Sequence, residues 1–274
     1  MEMGKQVLLI NDLAGYGKVA LSAMIPLMSY MGHQIYNLPT ALVSNTLDYG
    51  KFDILETTDY MKNTMKVWGE LGFCFDVIAT GFIVSEEQAK IIEEFCRRES
   101  MKGTLIFVDP IMGDEGTLYN GVTDQTVVHM KKLVGVADYI VPNYTEAARL
   151  TGLEYHESVT SSEVEEMIQR LCDMGAKSVI ITSIRLDGKD MVAGFDHETK
   201  QTFTIPFYKI PVRFPGTGDI FSAVLFGKLM EGNSLYDSTK KAMDTVSSLI
   251  EKNKNNIDIY KGIPIEQELE VLKG

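Results

Sequence analysis

The chain has 274 residues, 45% of them hydrophobic, which suits one large domain over residues 1–274 with little room for a second. A net charge of −12 argues against a nucleic-acid backbone or an anionic membrane as the main partner, although a local pocket could still hold a nucleotide. No long apolar segment or small-residue cleavage site follows the opening Met1-Glu2-Met3-Gly4-Lys5, and Cys74, Cys96 and Cys172 lie far apart without metal-ligand spacing, so a cytoplasmic protein with reduced thiols is expected.

In chain order, residues 7–10 form an apolar burst that reads as a first strand ending at Asn11-Asp12. Gly15-Tyr16-Gly17-Lys18-Val19-Ala20 follows and matches a glycine-rich dinucleotide fingerprint, the sign of an oxidoreductase. That fingerprint needs an acidic residue about twenty positions on for the ribose, and no Asp or Glu occurs between Lys18 and Leu47. A P-loop also fails, because no Ser or Thr follows Lys18. The glycines are therefore expected to shape a loop over a small ligand.

Further apolar bursts at residues 77–80, 105–108, 139–141 and 179–182 lack period-two alternation and predict parallel strands buried on both faces. Helical periodicity separates them. Ser85 with Gln88, and Thr160 with Glu163, have capping-box spacing before apolar stripes, and Gly175 is placed to close the second helix. Residues 191–195 and 202–206 predict a late antiparallel hairpin, followed by two helices from about Gly218 to Lys252. The alternation implies an α/β fold with a mostly parallel sheet, in which ligands bind beyond the carboxyl ends of the strands.

Polar residues gather at those ends. Asp109 and Asp114 flank Pro110-Ile111-Met112-Gly113, and Asn143 and Glu146 stand in Pro142-Asn143-Tyr144-Thr145-Glu146 after the next strand. Such oxygen ligands suit a hydrated Mg²⁺, while Asn143 and Glu146 equally have the spacing of a helix cap and its capping-box partner. A cap role would survive Glu146→Gln. Thr182-Ser183 offers hydroxyls at the same rim. Phe214-Pro215-Gly216-Thr217-Gly218-Asp219-Ile220 completes the set: its glycines allow a tight turn into a helix whose N–H groups suit a phosphate, and Asp219 is placed to act as a base.

Four ordered segments, Asp109-Pro110-Ile111-Met112-Gly113-Asp114, Pro142-Asn143-Tyr144-Thr145-Glu146, Ile180-Ile181-Thr182-Ser183 and Gly216-Thr217-Gly218-Asp219, resemble the vitamin-kinase branch of the ribokinase-like superfamily, most closely the pyridoxal/pyridoxamine kinases. The resemblance covers nearly the whole chain. It implies a three-layer αβα sandwich, ATP-dependent phosphorylation of the 5′-hydroxymethyl group of a B6 vitamer, Mg²⁺, often K⁺, and a homodimer.

By this resemblance Asp219 is the catalytic base and the backbone of Gly216, Thr217 and Gly218 the anion hole. Asp109, Asp114, Asn143, Glu146, Thr182 and Ser183 serve ATP, with Asp114 and Glu146 toward the metal. Asn11, Asp12, Ser44, Asn45, Phe82 and Tyr119 fall on the vitamin side. Two departures stand out. Asn11-Asp12 replaces the Ser-His pair of longer-studied members, and Thr46-Leu47 replaces a His-Thr after Ser44-Asn45. Asp12 also resembles relatives that phosphorylate hydroxymethylpyrimidine, the alternative reading. A sugar kinase is disfavoured by the short chain and the absence of a Gly-Gly pair, and a non-catalytic relative by the presence of Asp219 and its glycines.

Overall fold

The computed structural model describes residues 4–119 and 122–273, and forms two compact units: residues 1–77 with 210–274, and residues 78–209. The opening Met1, Glu2 and Met3, on which the expectation of a leaderless start rests, lie outside the described residues.

In the first unit β1 (Gln6–Tyr16) buries Val7, Leu8, Leu9 and Ile10 and runs on to Tyr16, past the end expected at Asn11-Asp12. After α1 (Ala20–Tyr30) the chain returns as β2 (Gln34–Asn45), parallel to β1. Sequence patterning does not reveal β2, because its centre carries Pro39, which cannot donate to a ladder. Pro39 is tolerated at an irregularity. The pairing steps from Asn11 with Pro39 to Leu13 with Leu42, leaving one extra residue on β2 opposite Asp12. Such bulges re-aim side chains and recur beside active sites. A short antiparallel edge strand, β3 (Ile54–Glu56), and the helix α2 (Thr58–Leu71) follow.

The second unit opens with β4 (Val77–Thr80), α3 (Glu86–Ser100) and β5 (Leu105–Val108), whose apolar runs are almost wholly buried, as strands covered on both faces require. Ser85 caps α3 by accepting from the Gln88 N–H. A tight hairpin, β6 (Gly113–Asp114) and β7 (Thr117–Leu118), precedes α4 (Asp124–Val134), β8 (Tyr139–Ile140), α5 (Tyr144–Thr151) and α6 (Ser161–Asp173). Both halves of the Thr160–Glu163 capping box form, and α6 buries Val164, Met167, Ile168 and Leu171 along one face. The late hairpin is realised and extended: β9 (Ser178–Leu186), β10 (Lys189–Asp196) and β11 (Gln201–Pro206) are successively antiparallel. Within this unit the strand order is β11-β10-β9-β8-β5-β4. Here too one strand carries a bulge, between the Met191–Ile184 and Ala193–Ile181 pairs, and it sets Thr182 and Ser183 out of register on β9.

The chain then returns to the first unit as α7 (Thr217–Met230), α8 (Leu235–Asn253) and the short α9 (Ile265–Glu268). Helix α7 buries every residue from Ile220 to Gly227 and packs on α1 and α8, so it is apolar all round, as an embedded helix must be. Its first turn is thereby held on a rigid support.

Candidate active site

Gly216 starts α7 with φ of 85°, and a Cβ there would stand 2.1 Å from the Lys18 carbonyl oxygen, so glycine alone fits. Gly218 differs. A Cβ on Gly218 would meet nothing within 4 Å, and no side chain caps this helix end. The first turn thus has no side-chain cap and lies at the positive end of the helix dipole, an arrangement that fits an anion.

Asp219 projects from the same turn and is held at both oxygens. Oδ2 accepts the Ala20 N–H at 2.8 Å, and Oδ1 accepts from Asn11 Nδ2 at 3.4 Å. Ala20 donates from a left-handed backbone with φ of 48°, which is costly for a residue with a Cβ. Burial pushes the Asp219 carboxyl up to about 6, against the pull of the Ala20 and Asn11 hydrogen bonds. Asp12 follows Asn11 and donates its backbone N–H to Asn11 Oδ1 at 3.0 Å. Burial, and then the charge on Asp219, raise the Asp12 carboxyl to about 7. Two carboxyl groups with the Asn11 amide against one of them can accept a proton near neutrality.

The glycine-rich turn has its own fastenings. Lys18 N–H donates to the Lys261 carbonyl at 2.9 Å, the Lys18 ammonium pairs with Glu266, and Thr46 Oγ1 donates to the Tyr260 carbonyl at 2.7 Å. This C-terminal clasp is invisible in the sequence pattern, since its partners lie more than 200 residues apart. Ala20, which a dinucleotide fingerprint would offer to a pyrophosphate, gives its N–H to Asp219 instead. Ser44 and Asn45 are engaged locally. Ser44 Oγ donates to Asn45 Oδ1 at 2.7 Å and accepts the Asp53 N–H at 2.8 Å, while Asn45 Nδ2 donates to the Lys51 carbonyl at 2.9 Å.

In the second unit Asn143 and Glu146 form the capping box of α5 and also fasten the β6–β7 hairpin. Glu146 Oε1 accepts the Met112 N–H at 2.9 Å, Oε2 accepts the Asn143 N–H at 2.8 Å, and Asn143 Nδ2 donates to the Gly113 carbonyl at 2.7 Å. Burial, and then the charge of Asp109, raise the Glu146 carboxyl far above the usual range. Asp114 Oδ1 accepts the Glu115 N–H at 2.9 Å in the hairpin turn. Thr182 bridges to Asn143, and Ser183 takes a left-handed φ of 58° at the β9 bulge. Phe82 lies just past β4 and is partly exposed, and Tyr119 donates its N–H to the Met112 carbonyl at 2.9 Å.

Among the described residues no three His, Cys, Asp or Glu side chains cluster closely enough to hold a metal alone. Mg²⁺ does not need such a cage: it takes one or two carboxylates and completes its shell with water and phosphate oxygens. A buried Glu146 carboxylate beside Asp109 fits a nearby cation on charge grounds.

Comparison with known proteins decides the family. The phosphomethylpyrimidine kinase profile matches residues 40–264. The chain belongs to the phosphomethylpyrimidine kinase family. A Bacteroides thetaiotaomicron protein provisionally assigned as a phosphomethylpyrimidine kinase superposes with a TM-score of 0.94 at 33% identity, over 100% of this chain and 96% of its own. The same protein is also solved in an orthorhombic form with pyridoxal. Pyridoxal kinase from Lactobacillus plantarum superposes with a TM-score of 0.88 at 26% identity, covering 98% and 96% of the two chains. Pyridoxal kinase of Arabidopsis thaliana is 34% identical over 67% of this chain, and the chain spans 60% of that relative's length.

This phosphomethylpyrimidine-kinase-family chain thus bears out the resemblance to the pyridoxal kinases of the ribokinase-like superfamily. The expected fold class, with its mostly parallel strands and late antiparallel hairpin, is borne out with it. Among the described residues no helix is long and apolar enough to cross a membrane, and all three cysteines are free thiols.

Proposed function

We propose that the protein is an ATP-dependent pyridoxal kinase that phosphorylates the 5′-hydroxymethyl group of a B6 vitamer. The observation that carries this reading is Asp219, a carboxylate held by Ala20 and Asn11 at the uncapped first turn of α7. The hydroxyl proton passes to Asp219 as its oxygen bonds to the γ-phosphorus, and the bond from that phosphorus to the ADP oxygen breaks. Little covalent work falls to the protein. In-line alignment and charge stabilisation supply the acceleration, and amide donors of the kind offered by Gly216, Thr217 and Gly218 contribute about 3–4 kcal/mol each where comparable ones have been removed.

Asp109, Asp114, Asn143, Glu146, Thr182 and Ser183 are assigned to Mg²⁺-ATP. Asp114 is the more open carboxylate, and Glu146, with both oxygens on backbone N–H groups, orients the hairpin that carries it. When bound, Mg²⁺ neutralises charge on the phosphates. A K⁺ requirement, a homodimer, a cytoplasmic location and one catalytic domain over residues 1–274 belong to the same proposal. Asn11, Asp12, Phe82 and Tyr119 are assigned to the vitamer. Ser44 and Asn45 serve it by shaping the loop after β2, given their local hydrogen bonds.

Hydroxymethylpyrimidine is the second reading, favoured by the family profile and by the acidic residue at position 12. A coupled ADP-release assay with Mg²⁺-ATP and K⁺ compares pyridoxal, pyridoxamine, pyridoxine and hydroxymethylpyrimidine. Turnover of at least one vitamer with kcat/KM above that for the pyrimidine is the expected result. Turnover of the pyrimidine alone installs the second reading, and turnover of none removes both.

A further inference from the structure

The backbone of Lys18 lies between two glycines from distant parts of the chain. A Cβ on Gly216 would stand 2.1 Å from the Lys18 carbonyl oxygen, and one on Gly262 would stand 3.0 Å from the same atom, so the chain closes this tightly only because neither residue carries a side chain. Further ties join the turn to residues 260–266. The Lys18 N–H donates to the Lys261 carbonyl at 2.9 Å, the Lys18 ammonium pairs with Glu266, and Thr46 donates its hydroxyl to the Tyr260 carbonyl at 2.7 Å. Thr46 is 2% exposed and presses on the turn as well: a Cβ on Gly17 would stand 2.2 Å from its γ-methyl, and its N–H donates to the Tyr16 carbonyl at 3.0 Å. Two residues past Lys18, Ala20 keeps a left-handed backbone and gives its N–H to Asp219. A residue with a Cβ leaves that conformation when nothing holds it. A bridge to Leu13 ties Ala20 toward β1, and the 260–266 segment fixes the chain that enters it.

We infer that the segment from Tyr260 to Glu266 is a positioning element for the base: by gripping Lys18 and Thr46 it holds Ala20 in the conformation that directs its N–H at Asp219. The inference rests on the reading of Asp219 as the base of the kinase reaction. It also gives Thr46, where the resembled family carries His, a role in supporting that base. The ties are unequal. The Glu266 side chain is 53% exposed, and an ion pair of that kind contributes little alone, whereas the Thr46 hydroxyl bonds out of water. Thr46 and Lys18 are therefore positioning residues, with Thr46 the stronger.

Thr46→Val keeps a γ-methyl against Gly17 and removes the hydroxyl. In steady-state kinetics its kcat should fall about 5–30-fold, which is the left-handed cost of about 1–2 kcal/mol expressed as a lost population of the active conformation. KM for ATP should stay within about twofold, so that the loss falls on kcat. Thr46→Ser keeps the donor and should hold kcat within about twofold. The deciding measurement repeats Thr46→Val in an Ala20→Gly background. Glycine adopts this backbone freely and needs no grip, so there the substitution should lower kcat less than about threefold. Glu266→Gln, at an exposed side chain that leaves folding intact, should lower kcat about two- to fivefold by the same route, and it carries the test if Thr46→Val does not fold. Wild-type kcat in the folded variants overturns the inference and leaves Asp219 as the base. An equal loss with and without Ala20→Gly also overturns it, because the segment then acts on the fold as a whole and not through Ala20. Wild-type protein inactive on every acceptor, or an Asp219→Asn variant that keeps about a tenth of wild-type kcat, removes the reading and this inference together.

Discussion

Ala20 donates its backbone N–H to Oδ2 of Asp219 at 2.8 Å across 199 residues of sequence, and it does so with φ of 48°. A left-handed backbone costs a residue with a Cβ about 1–2 kcal/mol. Strain of this kind persists where the surroundings over-determine the conformation, as at a site that must hold one carboxylate in one orientation.

Ala20→Gly tests that strain. Glycine adopts this φ freely but loses more entropy on folding, so stability should hold or rise by up to about 1 kcal/mol. The N–H donor to Asp219 survives, so kcat should stay within about twofold. A clear loss in denaturant midpoint would show that Ala20 is not strained in solution.

Asp219→Asn should lower kcat by ~10²–10⁴-fold, the usual worth of a positioned general base. Its stability relative to wild type should rise with pH. The folded carboxyl titrates at about 6 against an ordinary 3.8, so between those values the native state binds more protons than the unfolded chain. Stability from this group therefore falls as pH rises through the window, and ionised Asp219 costs stability at pH 8. Relative to wild type the Asn variant should therefore gain about 1–3 kcal/mol between pH 4 and pH 8 from the absent charge, set against a pH-independent cost for the donor, Ala20 N–H or Asn11 NH₂, that its single acceptor oxygen leaves unmet. The same proton shapes activity: wild-type kcat/KM should drop below about pH 6 as Asp219 is protonated. Paired urea melts at pH 8 and pH 4 with a pH–rate profile check both halves, and a variant keeping a tenth of wild-type kcat would move the base elsewhere.

Gly218→Ala and Gly216→Ala should part company. A methyl at Gly218 meets open space in a first helical turn, so the fold should be unharmed and up to about 1 kcal/mol more stable. Activity should fall at least tenfold if a phosphate approaches that backbone, and an unchanged ATP KM and kcat would remove the anion hole from Gly218. Gly216→Ala meets the Lys18 carbonyl at 2.1 Å and a positive φ, so it should lose stability outright.

Glu146→Gln, expected from capping spacing alone to be mild, should destabilise the second unit. Both Glu146 oxygens accept backbone N–H groups, and a glutamine offers only one acceptor, turning its NH₂ toward a donor. A loss of about 1–3 kcal/mol, the cost of an unsatisfied buried donor, is predicted in thermal or urea unfolding. An unchanged melt with a raised Mg²⁺ requirement would instead assign Glu146 to the metal alone.

Much of this molecule is legible in local sequence because the forces involved act within a few residues. The apolar bursts of β4 and β5, the Thr160–Glu163 and Asn143–Glu146 boxes, the late hairpin and the start of α7 each follow from periodicity, caps and turns. The order of the motifs was enough to indicate the family. Tertiary structure alone decided that β1 runs to Tyr16 beside a strand containing Pro39, and that bulges fall opposite Asp12 and at Thr182-Ser183. It alone brought Ala20 and Asn11 to Asp219, committed both Glu146 oxygens to the hairpin, and left Asp12 without a partner among the described residues. Those outcomes depend on distance through space and on exclusion of water, which set both hydrogen-bond partners and carboxyl acidity, and neither quantity is written in the spacing of residues along a chain.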